Sequence, residues 1–142
     1  MKVLFDTNVV LDVLLDREPD SQSAIKLLAA VETKQINGYL CATTVTTLDY
    51  LLSKSIGKQA SKEALNCLLG LFQIAEVNAA VLQSALNSQF TDFEDAVLYC
   101  SAVSVNADVI ITRNSKDFKL AELPIFEPSE FLAKHSITGR AQ

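Results

Sequence analysis

Four aspartates from separate segments, Asp6, Asp49, Asp95 and Asp117, are the groups with which this sequence could do chemistry. Asp6 closes the apolar run KVLF, and Asp117 follows DVIIT in the turn TRNSKDF, so each falls just past a strand candidate. In a parallel sheet that edge is where ligands gather. Asp49, in VTTLDYLLS, has Val45 at i−4 and Leu52 at i+3, a spacing that predicts an acid on the inward face of a helix. Asp95 shares a helical stripe with Leu98, Tyr99 and Ala102 and is expected to face inward with it. Plainer roles exist for each. Asp6 would serve as a helix cap, Asp49 as half of a buried ion pair, and Asp92, Glu94 and Asp95 as first-turn acids favoured by the helix dipole. Asp92 and Asp95 also have the spacing of a capping box, and Asn114 and Ser115 are ordinary turn residues. The coincidence of all four acids at strand ends or inward helix faces outweighs these separate readings. Asn8, Asp92, Thr112 and Asn114 are the supporting polar residues of such a site, with Asp12 a solvated or flanking charge.

Carboxylates brought close together cannot all ionise unless a cation compensates them. Oxygen ligands without imidazole or thiolate suit hard ions, and Mg²⁺ or Mn²⁺ fits a site that meets phosphate groups. Such ions activate water and stabilise the leaving oxygen in phosphodiester hydrolysis. Other chemistries are poorly supplied. His135 is the only histidine, and Cys41, Cys67 and Cys100 lack the close spacing of thiolate metal sites or redox pairs.

The elements that must position these acids alternate between strand and helix. KVLF reads as a strand, TNVVLDVLL as a helix, and SQSAIKLLAAVETKQI as an amphipathic helix stopped by Asn37 and Gly38. YLCAT is the second strand candidate, followed by a helical hairpin over VTTLDYLLSKSI and SKEALNCLLGLF with Gly57 between. QIAEV, DVIIT and a short piece around Ile125 are further strands, while NAAVLQSALNSQ, capped by Asn78, FEDAVLYCSAVSV and PSEFLAKH are helices. This alternation predicts an α/β fold with a central parallel sheet of about four or five strands. One domain over residues 1–135 is expected, with 136–142 a loose tail.

The chain has 142 residues, 49% of them apolar, which excludes a disordered or fibrous protein. No apolar run approaches the ~18 residues of a membrane span, and MKVLFDTN lacks the pattern of a signal peptide, so a cytoplasmic location is expected.

Four ordered pieces, FDTNVVLD, TTVTTLD, DFEDAVLYCSA and ITRNSKDF, give the sequence a resemblance to the PIN-domain family, especially the toxins of VapC-type toxin-antitoxin systems. The resemblance spans nearly the whole chain. It implies a three-layer α/β/α fold and a ribonuclease that uses Mg²⁺ or Mn²⁺. Asp6, Asp49 and Asp95 match the metal-binding acids of the family, with Asn114 and Asp117 in the fourth acidic region. Asp49 stands where the family usually has Glu, and Asn114 where many relatives have an acid. The resemblance further implies RNA as substrate, a homodimer, and an antitoxin protein as partner.

A net charge of −5 runs against nucleic-acid binding, but setting aside six site acids leaves 11 acids against 12 bases. Lys54, Lys58, Arg113 and Lys116 are the candidate phosphate contacts. Two other functions fit less well. A PIN-like module that binds RNA or protein without cutting is favoured by the two departures just named. A phosphatase of the haloacid dehalogenase type would need a second acid where this chain has Asn8.

Overall fold

The computed structural model describes residues 1–135 and 137. Its centre is β1 (Lys2–Phe5), a strand apolar on both faces, as one flanked by helices above and below must be. β2 (Asn37–Cys41) and β3 (Gln73–Ala75) lie on one side of it, β4 (Val109–Ile111) and β5 (Ile125–Phe126) on the other. The sheet order is β3-β2-β1-β4-β5, with every pairing parallel. The expected parallel sheet of four or five strands is therefore a sheet of five.

Side-chain alternation along the strands splits the interior into two cores. Val3, Phe5, Leu40, Val109 and Ile111 point to the layer holding α1 (Thr7–Leu14), α2 (Asp20–Glu32), α3 (Ala42–Ile56), α4 (Lys58–Leu71) and α7 (Pro128–His135). Leu4, Tyr39, Cys41, Ala75 and Ile110 point to the layer of α5 (Ala79–Leu86) and α6 (Phe93–Ser104). The result is a three-layer α/β/α architecture. The strand order reverses around β1, whose carboxyl end opens between the connections to β2 and β4.

Several boundaries differ from expectation. Asn37 and Gly38 do not stop α2, which ends at Glu32 with Lys34 in the left-handed region at φ 64. Instead Gly38 lies within β2 opposite Val3, and a Cβ there would come within 2.7 Å of the Phe72 ring and 2.8 Å of Val31. Close packing rather than helix termination requires this glycine. β2 gives way to α3 directly after Cys41, so Ala42 and Thr43, expected in the strand, are helical. α4 begins at Lys58, three residues earlier than its apolar periodicity indicates. The expected tail lies outside the described residues except for Ile137, which packs against the first core. No helix among the described residues is long and apolar enough to cross a membrane.

Candidate active site

Three connections at the carboxyl edge of the sheet bring the acids together. Asp6 leaves β1 with its backbone N–H donating to the Ile111 carbonyl of β4 at 2.9 Å. Its side chain caps α1, accepting from the Thr7 N–H at 2.8 Å through Oδ1, and accepts from the Thr112 hydroxyl at 2.8 Å through Oδ2. Thr112 is itself buried, and its Oγ1 accepts from the Asn114 N–H at 3.0 Å. The cap role and the site role of Asp6 are thus one arrangement: both oxygens are held, and each keeps a lone pair to offer.

A cavity of about 310 Å³ opens in front of Asp6. Asn8 of α1 lines it, with Asp92, Glu94 and Asp95 at the start of α6 and Asn114 and Asp117 from the turn after β4. Asp92 is the N-cap of α6, accepting from the Asp95 N–H at 3.0 Å. That cap fixes the first turn, and the inward stripe of α6 aims Asp95 into the cavity beside Leu98. The 3₁₀ turn Ser115–Phe118, anchored by buried Phe118, carries Asp117 to the rim.

No lysine or arginine lines this cavity among the described residues. Like charges therefore act on one another, and Arg113, outside the lining, offsets them only at Asp6 and as the smallest of the effects there. Desolvation, then the carboxylates of Asp92, Asp6, Asp117 and Glu94, push the Asp95 carboxyl up to about 7. Asp6 is raised as well, chiefly by burial, although the hydrogen bonds from Thr112 and Thr7 oppose the shift. Among the described residues no group of three or more acids is already arranged to hold a metal ion. The donor chemistry nevertheless fits a hard divalent ion: all oxygen, several acids around one cavity, and no base in the lining.

Asp49 requires correction. It is exposed, and its Oδ1 accepts from the hydroxyls of Ser61 at 2.8 Å and Ser53 at 3.3 Å. The reason is rotational. The core-facing stripe of α3 runs through Thr44, Leu48 and Leu52, and Asp49 lies beyond the far edge of that stripe, toward α4. Two residues are ~200° of helix, so the cavity-facing position is Thr47, with Thr43 and Leu51 one turn away on either side. The run TTVTT held this signal at a spacing of four, unread because hydroxyls do not stand out beside acids.

The remaining residues divide. Asn8, Asp92 and Asn114 line the cavity, and Thr112 stands behind Asp6. Arg113 is not free for phosphate: it meets Asp12 at 2.9 Å and Asp20 at 3.0 Å. Asp12 is buried between Arg17 and Arg113 rather than solvated. Lys54, Lys58 and Lys116 are exposed and lie outside the cavity lining.

A family model of the PIN domain matches residues 2–116. Ribonuclease VapC1 of Aquifex aeolicus (strain VF5) is 27% identical over 134 residues, which are 92% of each chain. Among solved structures, VapBC2 from Rickettsia felis bound to a promoter DNA fragment superposes with a TM-score of 0.67 at 21% identity, covering 89% of this chain and 98% of that one. A toxin-antitoxin complex from Klebsiella pneumoniae gives 0.67 at 23% identity, with 89% and 97% covered. At that identity the superpositions speak for the fold.

Proposed function

Since the chain belongs to the PIN-domain family, we propose that it is a one-domain endoribonuclease, the toxin of a toxin-antitoxin pair, dependent on Mg²⁺ or Mn²⁺. The observation that carries this reading is the meeting of Asp6, Asp95 and Asp117 around one cavity at the sheet edge with no base among them. Asp6, Asp95 and Asp117 would hold the ion, which supplies charge neutralisation at the phosphodiester and activation of water. Thr112 fixes Asp6 through its Oδ2, and Asp92 fixes the turn that presents Asp95. Asn8 and Asn114 add neutral donors that can meet phosphate oxygens where more acid would repel them.

The name of the Aquifex relative supports the activity, and the toxin-antitoxin complexes of the same fold support an antitoxin as partner. A homodimer working in the cytoplasm belongs to the same reading. Leu82, Leu86 and Phe93, exposed side by side on α5 and α6, offer an apolar face for it. The test is cleavage of a labelled RNA by wild type with Mn²⁺, by wild type in EDTA, and by Asp6→Asn with Mn²⁺. Cleavage in the first alone is the expected outcome; cleavage in EDTA or by the variant overturns the site assignment.

A further inference from the structure

The acids occupy three walls of the cavity, and the fourth, α3, presents only Thr43, Thr44, Thr47 and Leu51. A polyanionic backbone is repelled by the first three walls and can approach along the neutral one. Continued by one turn, the stripe through Thr43, Thr47 and Leu51 reaches Lys54, the first base along it. Beside that stripe stands Tyr50, 61% exposed. Lys54 Nζ donates to the Tyr50 hydroxyl at 3.1 Å and lies 4.8 Å from the ring centroid. The ammonium lies toward the hydroxyl end of the ring and leaves most of the face to solvent. An exposed aromatic face next to a cation, in line with the neutral wall of a nuclease cavity, suits an unstacked base and its phosphate.

We propose that α3 carries a track for single-stranded RNA leading out of the cavity, with one unpaired base stacked on Tyr50 and the adjacent phosphate on Lys54. The Thr43 and Thr47 hydroxyls of the wall meet the sugars nearer the cavity. A continuous duplex does not use the track, because its bases are already stacked on one another. The inference rests on the nuclease reading for bringing RNA to the cavity.

Binding and cleavage test the two readings separately. The full chain carrying Asp6→Asn is titrated in EDTA with a fluorescein-labelled unstructured RNA oligomer. Adding Tyr50→Ala should weaken binding about tenfold, while Tyr50→Phe, which keeps the stacking face, stays within about twofold. Lys54→Ala should lower the slope of log affinity against log salt by about 0.7. The chain has no tryptophan and three tyrosines, of which Tyr50 is the exposed one, so the difference in emission between wild type and Tyr50→Phe reports that ring. RNA should quench that emission, and Tyr50→Phe should remove the tyrosine part of the quench. Unchanged affinity in Tyr50→Ala, equal displacement by blunt duplex and single strand, or no binding of the oligomer overturns the track. If wild type cleaves and Tyr50→Ala cleaves with the same KM, the track fails and the nuclease reading stands. Tyr50-dependent binding without cleavage by wild type gives the reverse.

Discussion

Replacing Asp95 by Asn should destroy cleavage and at the same time stabilise the metal-free protein. The folded Asp95 carboxyl keeps its proton to about 7, against 3.8 for an unperturbed aspartate. Between those values the folded state binds more protons than the unfolded one, so stability falls as pH rises. The penalty is absent below pH 3.8, grows through the interval and is complete above 7. Taken at face value the difference is worth ~4 kcal/mol. Asp95 is only part-buried and its neighbours Asp92 and Glu94 are exposed, so solvent screening reduces this to about 1–2 kcal/mol. Asn also forfeits the attraction between a negative charge and the first turn of α6, about 0.5 kcal/mol. The net gain is about 1 kcal/mol, a Tm rise of about 3–4 °C in a domain of this size. Thermal unfolding of wild type and variant in EDTA at pH 8 and at pH 4 measures it. The rise should appear at pH 8 and vanish at pH 4, and saturating Mn²⁺ should raise the Tm of wild type more than that of the variant. A variant no more stable than wild type at pH 8, or equally stabilised at both pH values, refutes the reasoning.

Thr112→Val removes the hydroxyl that holds Asp6 Oδ2 and accepts from Asn114 N–H; Mn²⁺ affinity measured by calorimetry should fall about 10–100-fold, with a stability loss of about 1–3 kcal/mol from the unpaired groups. Asp49→Asn changes a group outside the cavity and should leave cleavage rates within about twofold, whereas an acid of the site would cost orders of magnitude. Arg113→Ala leaves Asp12 buried with Arg17 alone, and chemical denaturation should show a loss of about 2 kcal/mol, below the ~3–5 of a fully orphaned charge. Gly38→Ala forces a methyl against Phe72 and Val31 and should cost about 1–3 kcal/mol in the same assay.

Strand-end acids were legible because a strand that runs out into an aspartate shows its register directly, as KVLF and DVIIT do. Asp95 was legible because the long apolar stripe of α6 fixes rotation about the helix axis. On α3 the same reasoning failed. Val45 is only partly buried, and Leu52 belongs to the core stripe whose edge lies short of Asp49, so two apolar neighbours of Asp49 do not define its face. The part taken by Asp12 was hidden for another reason. Its partner Arg113 is 101 residues away, and pairing across that distance leaves no trace in local spacing. The use of Gly38 is not legible in sequence, because a glycine after a helix can end the helix or admit a neighbour, and only packing distinguishes them.

The hydrogen bond between Thr112 and Asp6 spans 106 positions of chain, and it has a bearing on the cell that makes the protein. At ~5–20 residues per second, a ribosome needs about 5–20 s to pass from one partner to the other. For most of that interval Asp6 lacks Asp95 and β1 lacks β4 along one side, and to its end Asp6 lacks Thr112 and Asp117. The acidic centre closes only after its last contributing turn has emerged. On the nuclease reading, the nascent chain lacks a complete site while it is being made, and a partner that recognises earlier parts of the fold has seconds in which to bind before that site exists.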